Sequence, residues 1–326
     1  MASGLGGKPA MLVCASHSPL LYCYAKEPKD WDALQHAFAA RANAIAEFDP
    51  ELIFAFGSDH FNGFFLNNMP AFCVGLNAEA AGDIGGFAGP VNVPEDTALA
   101  CSEYLRANDI DAAVSYRMTI DHAFSQTINN LSGSLTVHPT IPIFINCITK
   151  PFVPFRRTRM LGEVIGRFAG SLNRRVLFLA SGGMSHHPTR YYPEPGQGEQ
   201  AVEAWQLSGG ADPASLTPAQ WLERLDVMHH EGAQMIARGE RTAADMRLNA
   251  ESDRRFLDVI TGNRLEEYDQ WDQDRLVEEG GIGSMELQTW IAAAAAHKAA
   301  GGNAPVLDFY SVAPEIGIAA GMVHAD

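Results

Sequence analysis

Six short apolar runs constrain this chain more than any other feature: MLVCAS, LIFAFG, AFCVGL, AAVSYRM, IPIFINCI and VLFLAS. They are nearly continuous rather than alternating, which is the pattern of sheet strands covered on both faces. Helical patterns lie between them. DWDALQHAFAARANAIAEFDP offers Asp30 as an N-cap and places Leu34, Phe38, Ile45 and Phe48 near one face. PEDTALACSEYLRAND and RTRMLGEVIGRFAGSLN read the same way. Strand and helix alternate to about residue 190, which predicts an α/β sandwich. From Ala201 the chain turns mainly helical and charged, and we read these segments as excursions packed on the same domain. WIAAAAAHKAA predicts a packed helix, and VLDFYSVAPE a returning strand. The expected organisation is therefore one domain over 1–326, with an α/β sheet core in 1–200 and a mainly helical portion in 201–326. The Gly-, Phe- and Pro-rich stretch 62–95 fits either a pocket wall or a long surface hairpin.

Charge and cysteine usage exclude several function classes. A formal net charge of −16 disfavours nucleic acid and anionic membrane as partners, because like charges repel. The five cysteines are odd in number and form no CxxC, which argues against a disulfide framework or thiolate zinc site and for a reducing cytoplasm. Lys8 precedes an apolar stretch, but Ser16, His17, Ser18 and Pro19 interrupt it, so no signal peptide is expected. No apolar run is long enough to predict a membrane span.

Four of the eleven histidines follow predicted strands within a few residues: His17, His60, His122 and His186. In α/β sheets ligands collect outside the carboxyl ends of strands, so four imidazoles distant in sequence are expected to share one crevice. In LFLASGGMSHHP the glycines are expected to let the backbone turn sharply. His187 directly follows His186 and is expected to point elsewhere. His36, His138, His229, His230, His297 and His324 lack the strand-end context.

Two imidazoles and a carboxylate suit either a non-haem Fe(II) oxygenase or a zinc hydrolase, and spacing does not separate the two. Glu286 is the candidate carboxylate, set among glycine and apolar residues in GGIGSMELQTW, where burial without a partner costs free energy. A plain acidic residue at a helix N-terminus is the competing reading. GDIGGFAG lacks the order of a dinucleotide fingerprint, and Ser185 lacks the second glycine of a nucleophile elbow. Arg156–Arg159 fits a helix start or surface cluster, or a carboxylate-binding site.

The ordered set SHSPL, PELIFAFGSDHFNGFF, MPAFCVG, GDIGGFAG, VSYRMTIDHAF, RTRMLGEVIGRFAGSLNRRVLFLASGGMSHHP and MELQTWIAA resembles the class III extradiol ring-cleavage dioxygenases, over nearly the whole chain. The resemblance implies a central mixed sheet flanked by helices, Fe(II) as cofactor and a homo-oligomer. It implies His17, His60 and Glu286 as iron ligands, and His122 and His186 as acid–base residues. The implied substrates are O2 and a catechol such as 2,3-dihydroxyphenylpropionate, in aromatic catabolism. Arg190 to Arg255 and the C-terminal tail match less well, which leaves the pocket for the substrate side chain open. A zinc-dependent hydrolase on the same His/His/Glu set is the alternative, and Mn(II) the alternative metal.

Overall fold

The computed structural model describes residues 9–326; Lys8, the cation ahead of the first apolar run, lies outside them. Every one of the six apolar runs forms a strand. MLVCAS gives β1 (Ala10–Ala15), which leads to helix α1 (Trp31–Phe48), and LIFAFG gives β2 (Leu52–Gly57). AFCVGL contains β3 (Phe72–Gly75), followed by two short strands, β4 (Ala78–Ala81) and β5 (Ala88–Pro90). Helix α2 (Glu95–Ala107) precedes β6 (Ala113–Ser115) and β7 (Met118–Ile120), which divide AAVSYRM between them. Helix α3 (His122–Ser132), β8 (Thr140–Ile145), α4 (Phe155–Ser171) and β9 (Val176–Ser181) complete the alternating part. Beyond it lie α5 (Gln200–Ser208), α6 (Pro218–Ala237), α7 (Ala250–Thr261), α8 (Gln273–Gly280) and α9 (Leu287–Ala299). The chain ends in β10 (Val306–Ala313) and β11 (Ile318–Ala325).

Eight strands form one mixed sheet in the order β10-β11-β1-β9-β2-β8-β3-β6, and β5-β4-β7 form a second, small sheet. β9 lies between β1 and β2, parallel to both. β11 runs antiparallel to β1, and β3 antiparallel to β8. Both faces of the large sheet are buried. Leu12, Phe54 and Phe178 pack on the side of α4 and α9, while Val13, Ile53 and Leu177 pack on the other side with residues of α1 and α3. That two-sided burial is why these strands read as continuous apolar runs. Of the residues expected on one face of α1, Leu34 and Ile45 are buried, and Phe38 and Phe48 partly so. Asp30 does not cap α1 through its side chain. β10 passes close by, and the Asp30 carboxylate accepts from the Ser311 hydroxyl instead. β11 and the small-sheet strands β4 and β5 went unread in the sequence, since they are short or alanine- and glycine-rich.

The alanine run is a helix buried all round, with Leu287 to His297 inside the protein. It approaches α4 so closely that a Cβ added at Gly162 or Gly166 would lie 2.0 Å or 2.1 Å from the carbonyl oxygen of Ala292 or Ala296. On helix propensity alone Gly166→Ala would stabilise by about 1 kcal/mol. The close approach reverses the sign, because the obstacle is backbone and cannot swing aside. We expect Gly166→Ala to destabilise by about 1–3 kcal/mol, read by urea unfolding, and a gain in stability would contradict the packing. No helix among the described residues is long and apolar enough to cross a membrane.

Candidate active site

The parallel run β1-β9-β2 puts three strand ends at one edge of the sheet, and that edge holds the site. His17 follows β1, His60 follows β2, and the glycine turn to His186 follows β9 between them. Each exit is fixed by local hydrogen bonds. Ser16 exchanges bonds with the backbone of Gly321 (3.0 Å and 2.9 Å), and Ser18 caps the short 3-10 turn after His17. Asp59 accepts from the N–H groups of Asn62, Gly63 and Phe64 at 3.0–3.1 Å, which bends the chain around His60. His122 arrives from the small sheet, as the first residue of α3, with Asp121 as N-cap.

Gly182 and Gly183 answer a need for space beyond the sharp turn expected of them. Neither has a left-handed φ. A Cβ on Gly182 would lie 2.7 Å from the Glu286 carbonyl oxygen, and one on Gly183 would lie 2.5 Å from the His186 ring. What requires glycine here is the close approach of Glu286 and His186 rather than a left-handed backbone.

The structure brings His17, His60, His122, His186 and Glu286 together. All five are buried, and the four histidines line one cavity. Glu286 closes a 3-10 turn ahead of α9. Its Oε2 accepts from the Gly183 N–H at 2.7 Å. Its Oε1 lies 3.1 Å from His60 Nε2 and 3.6 Å from His17 Nε2, with no hydrogen bond by geometry among the described residues. Burial alone would raise the Glu286 carboxyl; His17 and His60 outweigh it and hold the group well below the usual carboxylate range. Burial likewise opposes charge on His60, but Asp121 and Glu286 outweigh it and raise that imidazole.

The far ring nitrogens are occupied. His17 Nδ1 meets Ser181 Oγ at 2.8 Å, and His60 Nδ1 meets Asp121 Oδ2 at 3.1 Å. His122 Nδ1 lies 2.5 Å from Asp83 Oδ2, and the Met184 carbonyl accepts from His186 Nδ1 at 2.8 Å. In the neutral ring, the carboxylate and carbonyl oxygens favour the proton on Nδ1 of His60, His122 and His186 and leave Nε2 as the acceptor nitrogen; the Ser181 hydroxyl can serve His17 either way. Burial lowers both His122 and His186 below the ordinary histidine value, so both are neutral at pH 7. His122 stacks on His60 with centroids 4.4 Å apart. One nitrogen each from His17, His60 and His122 also lie within 4.8 Å of one another, a second ligand-like grouping. Glu286, however, brings to the two histidines a buried carboxylate oxygen without a hydrogen-bond partner, and this distinguishes the two sets.

Several residues of the site were not read from the sequence. Asp83, in the GDIGG stretch tested only against a dinucleotide pattern, anchors His122 through both its backbone N–H and its ring. Asp121 precedes His122 directly, and a helix N-cap beside a candidate histidine was the available signal. His187 and His229, set aside above, both line the cavity with Tyr191, Tyr192 and Arg241. His229 sits on α6, where a search of strand ends does not reach. Residues 62–95 do not line the cavity. Arg159 pairs with Asp269 and Glu163 beside α4, so its charge is already used there.

Residues 11–317 match the family described as the catalytic LigB subunit of aromatic ring-opening dioxygenase. The chain is 39% identical over 305 residues to a 2,3-dihydroxyphenylpropionate/2,3-dihydroxicinnamic acid 1,2-dioxygenase of Mycolicibacterium gilvum, covering 94% of each chain. It is 40% identical over 308 residues to the enzyme of that name from Rhodococcus jostii, covering 94% of this chain and 95% of the relative. Among solved structures, an uncharacterized protein from Escherichia coli K12 shares the fold with a TM-score of 0.52 at 11% identity, over 97% of this chain and 99% of that one. With the family matched along almost its whole length and the five expected residues in one buried cluster, the chain belongs to the LigB family of aromatic ring-opening dioxygenases.

Proposed function

We propose that this ring-opening dioxygenase cleaves 2,3-dihydroxyphenylpropionate, or a closely related catechol, beside its two hydroxyls, with Fe(II) held by His17, His60 and Glu286. The observation that carries the metal assignment is Glu286 Oε1, buried and without a hydrogen bond, facing the Nε2 atoms of two histidines. A buried carboxylate oxygen left in this way is costly unless a cation takes it, and two imidazoles with one carboxylate suit Fe(II). Ser181 and Asp121 then act as positioning residues, orienting the rings from behind. When bound, Fe(II) supplies open positions for the catechol and O2 and the redox change that lets them react.

The chain's own contribution is proton handling and shielding from water. A free catechol hydroxyl has a pKa of roughly 10, by analogy with tyrosine, and must lose its proton near neutral pH. A neutral imidazole with a bare Nε2 accepts it, and His122 and His186 both meet that description. The protonated histidine is then poised to return the proton to the oxygen that departs as the ring opens. Tyr192, with its ring 4.8 Å from His60, helps close the cavity on this side.

A zinc hydrolase on the same residues has no support from the relatives, whose names describe dioxygenases. The direct test is O2 uptake and visible absorbance when 2,3-dihydroxyphenylpropionate is added to protein loaded anaerobically with Fe(II). Stoichiometric O2 loss with a yellow product is expected. Bound iron with no O2 uptake on any catechol would overturn the reading.

A further inference from the structure

Among the described residues, Arg241 is the only arginine or lysine that lines the cavity holding the four histidines. It stands just beyond the end of α6, on the wall formed with His187, Tyr191 and His229. Its guanidinium donates to Tyr191 Oη at 2.8 Å and to the His187 carbonyl at 3.4 Å, and its charge lies over the Tyr191 ring, 5.1 Å from the centroid. Among the described residues no carboxylate lies within ion-pair distance of it, whereas Arg190, next to Tyr191 in the chain, is paired with Glu231. Arg241 is therefore a cation at the cavity wall with no ion-pair partner in direct contact among the described residues; Asp245, an acid that feels its charge, is already held by Thr242.

The orientation is built in. Tyr191 stacks on His229 with centroids 3.8 Å apart and an interplanar angle of 11°. Its hydroxyl occupies the space where a side chain at Gly232 would begin, 2.1 Å from an added Cβ, so α6 carries a glycine there. The neighbouring imidazoles do not share the charge. Burial, with Arg247, His186 and Arg241, holds His187 at about 4, and burial holds His229 at about 3. At neutral pH the wall therefore presents one positive group, capable of a forked bond to a planar anion.

We infer that Arg241, positioned by Tyr191, receives the carboxylate of the substrate's side chain and so makes the enzyme select catechols that carry an anionic chain. This rests on the ring-cleaving reading above. It accounts for a substrate anion being accepted by a protein whose net charge is −16, since the local cation decides.

The test compares 2,3-dihydroxyphenylpropionate with 3-propylcatechol, in which a methyl replaces the carboxylate, on iron-loaded wild type and Arg241→Gln. A bond made equally in the ground and transition states appears in KM rather than kcat. We expect Arg241→Gln to raise KM for the acid by roughly 30- to 100-fold, with kcat altered by less than about 3-fold. Turnover of 3-propylcatechol stays within about 3-fold of wild type and shows that the variant folds and holds iron. Arg241→Lys recovers part of the loss, since it keeps charge without the fork. Equal losses on both catechols, or no loss on the acid, would overturn the role of Arg241 while leaving ring cleavage intact. Failure of the wild type to cleave either catechol would overturn the ring-cleaving reading and this inference with it.

Discussion

Glu286→Gln is expected to strip the protein of iron, and ring cleavage with it. The substitution is nearly isosteric, and the amide oxygen can still accept from the Gly183 N–H that now holds Oε2 at 2.7 Å. What it removes is the negative charge on an oxygen that faces two imidazoles and has no hydrogen bond. Losing an outer partner of a metal ligand costs roughly 10–100-fold in affinity, and losing a ligand's charge costs more. We therefore expect iron affinity to fall by more than about 100-fold, with Asp121→Asn, one step removed through His60, inside the 10–100-fold range. Metal analysis of protein purified after anaerobic loading reads both. Circular dichroism should be unchanged, because the fold is held by the sheet and the α4–α9 contact rather than by this carboxylate. Full iron occupancy in Glu286→Gln would remove it from the ligand set.

His122→Ala and His186→Ala are expected to behave oppositely, keeping iron and losing turnover. Neither residue is the one that meets the unpaired Glu286 oxygen most closely; His60 and His17 are. General acid–base catalysis contributes about 10²–10⁴-fold, so kcat should drop by that amount in each variant. Both residues are neutral because they are buried, and each has its Nδ1 held, by Asp83 or by the Met184 carbonyl. A truncated side chain supplies no Nε2 in that position. Oxygen-uptake kinetics with parallel iron analysis separates the outcomes. If His122→Ala loses iron as Glu286→Gln does, the metal sits among His17, His60 and His122, the alternative grouping within 4.8 Å. Normal turnover in either variant would end its acid–base role.

The two predictions depend on residues of unequal legibility. His17, His60, His122 and His186 stood out because each follows an apolar run directly, and strand ends are where an α/β sheet exposes its ligands. Glu286 had a weaker local signal, an acid in an apolar setting. Asp83 and Asp121 gave almost none, since a carboxylate is ordinary until its distance to a particular ring is known. Arg241 lies in the stretch where the family resemblance fades, and nothing in its neighbours sets it apart from Arg190 or Arg224. It became a candidate only through its neighbours in space, Tyr191 and the cavity, with no carboxylate at ion-pair distance among the described residues.

By itself the sequence determined that six apolar runs are strands, that the alanine run is a packed helix, and which histidines follow those strands. These are properties of neighbouring residues, and apolar periodicity reports them directly. Only the tertiary structure decided the order β1-β9-β2, the short strands of the small sheet, and the hairpin β10–β11 that completes the sheet beside β1. It also decided that SGG admits Glu286 and His186, and that the arginine on the cavity wall has no ion-pair partner among the described residues. Strand order, close approach and charge pairing depend on distances between residues far apart in the chain, and local composition carries no record of those distances.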